Sequence, residues 1–486
     1  MDLLASLLPL LPLVAGAAAL GFGWSRLTAM AAVLGSAGVL AGGIVLSVAT
    51  VGGDVVGTGG GLIRVDPLSA FMLVVIGIAA VISTGYAVSY VGAELSHGHI
   101  TPSTGRSYGV LVQVFIASMM IAVSTDNLGI LWVAVEATTI ATAFLVGQRQ
   151  TRAAVEASWK YVVIASVGVS IAFLGTVLLY FTSRHIGGGE ASLRWSELMG
   201  MVGGLDPEVT RLAAGLLVIG YGTKAGLAPL HTWLPDTHSQ APAPVSALMS
   251  GVLLSVSFYG LLRYKSVIDA VVGPHYMRTI LVILGVLSIG VAGSLLIVQR
   301  DYKRMLAYSS IEHMGLIAVG AAVGTPLAVG GALFHILGHA VGKSVAFCAS
   351  GDILLDVGTT NVADVRAMLR RRPELGIVFG LALAALLGLP PFSMFASELA
   401  ILKGAAAAGM GWVTAIVVGL MLVVFGALLR LGRNMLLGGS GTRAASSMGR
   451  SARVTLVGAL TLSVILGVAL GPLADLLGAA VKVVTP

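Results

Sequence analysis

Residues 375–400 read LGIVFGLALAALLGLPPFSMFASELA, a run that is apolar on every face of a helix until two prolines interrupt it and a single carboxylate, Glu398, follows. Helices cross a lipid bilayer with about 20 apolar residues, whereas the strands of membrane β-barrels alternate apolar and polar residues in short segments. Apolar runs of this kind recur along the whole chain. We therefore predict an all-α integral membrane protein.

The overall composition supports the same fold class. Of 486 residues, 57% are hydrophobic and 10% are charged, whereas about 25% are charged in an ordinary soluble domain. No sizeable soluble domain fits beside the apolar runs. The single cysteine, Cys348, excludes a disulfide framework and any multi-cysteine zinc or iron–sulfur site. The net charge of +7 lacks a dense basic stripe, so we expect no nucleic-acid partner.

Hydropathy predicts about fourteen transmembrane helices in this chain. The predicted spans are 3–22, 27–49, 68–91, 107–125, 127–146, 157–181, 209–226, 244–262, 279–298, 304–323, 326–350, 375–400, 411–429 and 454–478. We group them as N-terminal helices 1–3 (1–106), a first inverted five-helix repeat of helices 4–8 (107–262), a second repeat of helices 9–13 (279–430) and C-terminal helix 14 (454–478).

The distribution of basic residues predicts the orientation. If the N-terminus faces outward, most of the 28 lysine and arginine residues fall on the inner side, as the positive-inside rule favours. The first span has Asp2 as its only early charge and lacks the basic region of a signal peptide, so we expect it to be retained. We predict a multi-pass protein of the cell inner (plasma) membrane with its N-terminus outside.

Four charged side chains stand out inside predicted spans, where lipid would be expected: Glu136, Lys224, Lys343 and Glu398. Glu136 is in the middle of span 127–146, and Lys224 is near the end of span 209–226. A charge at membrane depth costs a few kcal/mol unless a partner, water or a function compensates. Because the proton affinity of a buried lysine depends on its distance from a carboxylate, a helix shift could make Lys224 take up or release a proton. The alternative is a structural ion pair that only holds helices together.

Three ionisable residues follow one another at intervals of four in span 326–350. His335, His339 and Lys343 therefore share one helix face, with a rise of about 6 Å per step. Imidazole exchanges protons readily near neutral pH, which favours a relay over a set of inert core residues. Histidines four apart can also share a metal ion, but the sequence suggests no convergent carboxylate and Lys343 would repel a cation. We expect no metal site.

Proline-rich stretches interrupt two of the spans. One follows Lys224 directly, and the other, at 388–391, precedes Glu398. Non-helical backbone at membrane depth persists only inside protein or beside a watery cavity, and paired discontinuous helices are typical of inverted repeats. We therefore predict that helices 7 and 12 are discontinuous. Glu312 and His313 enter the tenth span and are either accessory members of the path or interfacial, solvated residues.

Four phrases carry a family resemblance: PLHTWLPD (229–236), APVSAL (243–248), KRMLAYSS (303–310) and GLPPF (388–392). Together they resemble the antiporter-like proton-pumping membrane subunits of the respiratory complex I superfamily. Glu312-His313 and Trp159-Lys160-Tyr161 are most similar to the hydrogenase-4 and formate hydrogenlyase membrane-arm branch. The chain ends without the long lateral helix of the largest members, so we expect an inner member of such an arm.

The resemblance implies a role for each candidate residue. Glu136 and Lys224 would form the pair of the first half-channel, and Glu398 would be the terminal exchange residue. The central connection would consist of His335, His339 and Lys343. His231 lies within the first phrase and joins the proton-translocating set. Ser255 stands where many relatives place a lysine or histidine, so the link from Lys224 to His339 would depend on water.

Three functions follow from these observations. The first is a proton-translocating subunit driven by redox chemistry on partners, which would include other membrane-arm subunits and a peripheral redox arm. Any NiFe centre and iron–sulfur clusters would then belong to those partners, and this chain would hold no cofactor. The second is a subunit of a multi-subunit Na⁺/H⁺ antiporter, and the third is a non-conducting membrane scaffold for a soluble enzyme. No nucleophile–base pair or cofactor fingerprint indicates a catalytic site in the chain itself.

Overall fold

The computed structural model describes residues 1–58, 62–184, 192–439 and 448–485. The helices within these ranges are α1 (Asp2–Leu7), α2 (Leu10–Phe22), α3 (Arg26–Thr50), α4 (Pro67–Ser96), α5 (Pro102–Ser124), α6 (Leu128–Val146), α7 (Arg152–Arg184), α8 (Trp195–Gly200), α9 (Pro207–Ala225), α10 (Trp233–Gln240), α11 (Ala243–Leu248), α12 (Leu254–Val272), α13 (Pro274–Ile297), α14 (Tyr302–Val323), α15 (Pro326–Val357), α16 (Met368–Arg371), α17 (Pro373–Leu386), α18 (Ser393–Ala407), α19 (Gly411–Leu437), α20 (Arg450–Val468) and α21 (Leu473–Val484). Two short strands, β1 (Val56–Gly57) and β2 (Arg64–Val65), pair antiparallel. The predicted all-α membrane fold is confirmed.

Local sequence explains where the long helices begin. Asp66, Asp206 and Thr325 each accept a hydrogen bond from a backbone N–H in the first turn of α4, α9 and α15. Each capping residue is followed by a proline at the first helical position, where the missing N–H removes no helical bond. These signals fix the N-terminal ends of helices whose interiors are predominantly apolar.

Twelve helices in the described ranges are long and apolar enough to cross a membrane, whereas the sequence predicts fourteen spans. The two further predicted spans differ for identifiable reasons. Span 209–226 corresponds to α9, which is not among the twelve because it carries three charged residues, Glu208, Arg211 and Lys224. Span 375–400 is divided between α17 and α18. The predicted last helix, 454–478, is also divided, because α20 ends at Val468 before a left-handed glycine, Gly471.

The breaks after α9 and α17 share one local sequence, Gly-Leu-Xaa-Pro. Gly226 and Gly388 adopt positive φ angles of 79° and 61°, a conformation that glycine takes without steric penalty. Each glycine is followed by a leucine, and the peptide bonds before Pro229 and Pro391 are cis. Both predicted discontinuities are therefore present. The inverted relation of the two repeats and their boundaries stay predictions.

The centre of the bundle is formed by α4, α11, α12, α14 and α15, which are buried over nearly their whole length. α15 packs against α14, α17 and α18, and the outward faces of α19 and α20 are exposed. Because α15 carries His335, His339 and Lys343, this arrangement places three ionisable residues at the middle of the molecule.

Candidate functional site

Lys224 is joined to Glu136 through the hydroxyl of Thr139. The buried Lys224 Nζ donates to Thr139 Oγ1 at 2.5 Å, and Thr139 Oγ1 donates to Glu136 Oε2 at 3.2 Å. Thr139 lies one turn after Glu136 on α6, so the same helix face presents both oxygens. The pair predicted from the sequence is therefore linked by a hydroxyl instead of a direct ion pair.

Two further side chains complete this cluster. Tyr161 OH accepts a hydrogen bond from Lys224 Nζ at 2.8 Å, and Ser166 Oγ donates to Glu136 Oε1 at 2.6 Å. Thr139 and Ser166 also line a cleft of about 860 Å³ between α2, α5, α6 and α7. The lining also includes polar residues from the beginning of α5, among them Arg106. The partners of Glu136 therefore border a cleft that polar residues also line.

The predicted row on α15 is buried at all three positions. His335, His339 and Lys343 have no exposed surface. Lys343 Nζ donates to Leu306 O at 2.8 Å and, over a short distance, to Ser309 Oγ. The Lys343 side chain is therefore hydrogen-bonded to neutral polar groups of α14 and has no carboxylate as a direct partner in these bonds.

His313 of α14 lies between the two histidines of α15. Its ring centroid is 5.2 Å from that of His335 and 5.4 Å from that of His339. His313 and Glu312 are both buried, so the interpretation that they are interfacial and solvated is wrong. Glu312 Oε2 lies 3.0 Å from His313 Nδ1 without the alignment of a hydrogen bond. Both accessory candidates thus belong to the central cluster.

Glu398 of α18 converges on the same cluster. Ligand atoms of His313, His335 and Glu398 all lie within 4.8 Å of one another. His335 also contacts α18 through Ser397, with 2.9 Å between His335 Nδ1 and Ser397 Oγ. The sequence-based premise that no carboxylate converges on these histidines does not hold, because α14, α15 and α18 pack together.

The region between Lys224 and His339 contains buried polar atoms without protein partners. Ser255 Oγ and both ring nitrogens of His339 have no hydrogen-bond partner within the described chain. Both nitrogens of buried His238 on α10 are likewise unpaired, and its ring lies 5.1 Å from that of Phe347. Buried polar groups of this kind are normally satisfied by ordered water. His231, in the break before α10, makes no direct hydrogen bond to other candidates among the described residues.

Four contributing residues were missed by the sequence analysis. Thr139, Tyr161 and Ser166 are hydroxyl residues, which are common in membrane helices and carry no charge signal. His238 lies in the same proline-rich stretch as His231, and its contact with Phe347 places it beside α15. Its signal was the presence of a second histidine in the stretch that follows Lys224.

Comparison with known proteins gives the same family from sequence. Residues 125–426 match the family described as "NADH:quinone oxidoreductase/Mrp antiporter, TM". The chain is 35% identical over 377 residues to "Hydrogenase-4 component F homolog" of Methylacidiphilum infernorum (isolate V4), covering 76% of this chain and 78% of that protein. It is 31% identical over 348 residues to "Hydrogenase-4 component B" of Escherichia coli (strain K12), covering 69% of this chain and half of that longer protein.

Solved structures share the fold over nearly the full length. A chain of the membrane-bound sulfane sulfur reductase, an archaeal respiratory membrane complex, superposes with a TM-score of 0.89 at 24% identity, covering 99% of this chain and 97% of that one. A chain of the Mrp complex from Dietzia sp. DQ12-45-1b gives a TM-score of 0.85 at 19% identity, with both chains covered completely. With the match over 125–426 and the geometry above, the chain belongs to the NADH:quinone oxidoreductase/Mrp antiporter transmembrane family and is a complex I-related, antiporter-like membrane subunit.

Proposed function

We propose that this subunit moves protons across the membrane through its buried glutamate, lysine and histidine residues, driven by redox chemistry on partner subunits. The observation that carries the proposal is the continuous linkage from Lys224 through the Thr139 hydroxyl to Glu136. A protonated lysine donates to the hydroxyl while the hydroxyl donates to the carboxylate, so one concerted shift of two protons transfers a proton from Lys224 to Glu136. This is the geometry that proton transfer between positioned groups requires.

The second half of the proposed path runs through the central cluster. His335 Nε2 and His313 Nδ1 are 3.3 Å apart, and both rings lie near Glu398. Ordered water at Ser255, His238 and His339 would connect this cluster to Lys224, because those side chains lack protein partners within the described residues. Protons would then pass along the membrane plane from the break after α9 to the break after α17. Lys343 would influence the protonation of the neighbouring histidines through its charge.

The redox partner is proposed from the relatives. The hydrogenase-4 names of two relatives support an energy-converting complex of the hydrogenase or formate-oxidising type. A peripheral redox arm would carry any NiFe centre and iron–sulfur clusters, since this chain offers only the buried Cys348. We place the subunit in the inner (plasma) membrane with its N-terminus outside, as the basic residues favour.

A second candidate function is a subunit of a multi-subunit Na⁺/H⁺ antiporter. The complete coverage and the TM-score of 0.85 against a chain of the Mrp complex favour it. Transport that needs Na⁺ but no electron donor would identify this function. A scaffold that conducts nothing predicts instead that coupling survives neutralisation of Lys224 and Lys343 together.

The test replaces Lys224 by alanine in the complete complex, purified and reconstituted into liposomes. We expect proton uptake and the turnover coupled to it to be lost while the subunits remain assembled. Lys403→Ala is the matched control, because Lys403 is an exposed lysine on α18 and its replacement should leave transport unchanged. Normal pumping by the assembled Lys224→Ala complex would refute the proposal.

A further inference from the structure

Three side chains from three helices converge in the second half of the proposed path. His313 on α14, His335 on α15 and Glu398 on α18 each have a potential ligand atom within 4.8 Å of the other two. His335 Nε2 and His313 Nδ1 are separated by 3.3 Å. With zinc–nitrogen bonds of about 2.0–2.1 Å, two ligands of a tetrahedral site lie about 3.3–3.4 Å apart. The two histidines therefore already have the separation that such a site needs.

The hydrogen bonds of Ser397 fix which nitrogen of His335 carries a proton. Ser397 Oγ donates to Met394 O at 2.8 Å, and it lies 2.9 Å from His335 Nδ1. A hydroxyl has one hydrogen, and the Met394 carbonyl can only accept. His335 Nδ1 must therefore donate to Ser397, which leaves the lone pair on Nε2 directed at His313. Metal-ligating histidines are held in this way by a hydrogen bond from their other nitrogen.

The site also has two carboxyl groups beside a cavity. Glu312 and Glu398 both line a cavity of about 200 Å³ between α14, α17, α18 and α19. Glu312 Oε2 has no hydrogen-bond partner in the described chain and lies 3.0 Å from His313 Nδ1. A cation entering this cavity would meet two carboxylates before it reached the imidazole rings.

Lys343 opposes a cation less at this place than at His339. Lys343 and His335 are two helical turns apart, a rise of about 12 Å along α15. The ammonium group of Lys343 is directed to Leu306 O and Ser309 Oγ. The repulsion that argues against a metal at His339 therefore weakens at the His335 end of the row.

We propose that His313, His335 and Glu398 bind a divalent transition metal of the Zn²⁺ type, and that the bound ion inhibits transport by occupying the lone pairs that would pass protons. Imidazole nitrogen and carboxylate oxygen are ordinary zinc ligands. The binding part of this proposal is independent of transport, whereas the inhibition rests on the proposed function.

The test measures Zn²⁺ binding by isothermal titration calorimetry to the full chain in detergent, produced without a polyhistidine tag. The exposed residues His97 and His99 are replaced by alanine in every sample, so that this neighbouring pair adds no surface site. Co²⁺ absorption reports tetrahedral nitrogen and oxygen coordination independently. We expect one bound ion in the background chain.

Variants distinguish the ligands from their neighbours. His335→Ala and Glu398→Gln should each weaken Zn²⁺ binding more than about 100-fold and abolish the Co²⁺ band. Ser397→Ala keeps both histidines and should weaken binding about 10- to 100-fold, as loss of an outer-shell partner does. His339→Ala is the matched control, a buried histidine one turn away on the same helix, and should change affinity less than about threefold.

Three results would overturn the metal site: no binding by the background chain, equal losses in His339→Ala and His335→Ala, or unchanged binding in both Ser397→Ala and Glu398→Gln. The Ser397→Ala variant keeps the test decisive if His335→Ala does not fold. Binding is measured without an ion gradient, so it is separable from the proposed function. If Zn²⁺ binds as expected while Lys224→Ala transports normally, translocation fails and the site stands. If Lys224 is required but Ser397 and Glu398 do not affect binding, the site fails alone.

Discussion

Replacement of Thr139 by valine removes the hydroxyl that joins Lys224 to Glu136 and keeps the size and branching of the side chain. In the wild type, Lys224 Nζ donates to two oxygens, Thr139 Oγ1 and Tyr161 OH. The substitution takes away one of them and also the donor to Glu136 Oε2. A hydrogen bond to a charged group contributes about 1.5–3 kcal/mol, and each 1.4 kcal/mol is about tenfold in an equilibrium.

We therefore expect Thr139→Val to slow proton transport about 10- to 100-fold with little effect on assembly. The assay is the rate of proton uptake by liposomes containing the purified complex, followed with a pH-sensitive dye and divided by the amount of assembled complex. Thr139→Ser is the matched control, since it retains the hydroxyl and should keep most of the rate. Equal rates for Thr139→Val and the wild type would refute the hydroxyl linkage, as would equal losses in both variants.

Three further predictions concern the framework around the path. Gly388→Ala forces alanine into a positive φ of 61° and places its Cβ against the carboxylate of Glu398. We therefore expect a loss of about 1–3 kcal/mol in the free energy of unfolding. Gly419→Ala, at an open position on α19, should be nearly neutral. Arg263→Ala breaks a buried ion pair with Asp66 and should lower the free energy of unfolding by about 3–5 kcal/mol. Arg211→Ala, at an exposed ion pair, is the control and should lower it by less than about 1 kcal/mol. Thermal denaturation in detergent measures both effects. Burial opposes ionisation of Asp66, but Arg263, the Ser69 N–H and Arg64 together more than offset it and lower the pKa of Asp66 below 3.8. This stability is therefore present above about pH 4 and is lost as the pH falls further. Asp66→Asn should remove that acid dependence of Tm.

The charged members of the proposed path were predictable because charge inside an apolar run is rare. Glu136, Lys224 and Lys343 stand out for that reason, and all lie in helices of the bundle. Thr139 was not predictable, since a threonine in a membrane helix ordinarily bonds its own backbone, as Thr142 does. The role of its hydroxyl depends on how α6 and α9 face each other across Tyr161, which spacing along the chain does not specify.

The breaks were predictable from proline, but the convergence around them was not. Glu398 follows the break at Gly388, and the sequence indicates only that both are near each other along the chain. Its approach to His335 and His313 requires α18 to pack against α14 and α15. The count of about fourteen spans stays a prediction for a related reason, because hydropathy averages over a window and cannot place the break at residues 387–392 between α17 and α18.

Under the proposed function, the orientation of the Thr139 hydroxyl between Lys224 and Glu136 changes with each proton that is transferred. Before transfer its hydrogen points to the carboxylate; after a proton has passed, the hydrogen received from the ammonium points back toward the amine. The C–O bond of Thr139 must then rotate before a second proton can follow in the same direction. Under the proposed function, a single hydroxyl of this kind passes protons one at a time, and its C–O bond rotates back between one transfer and the next.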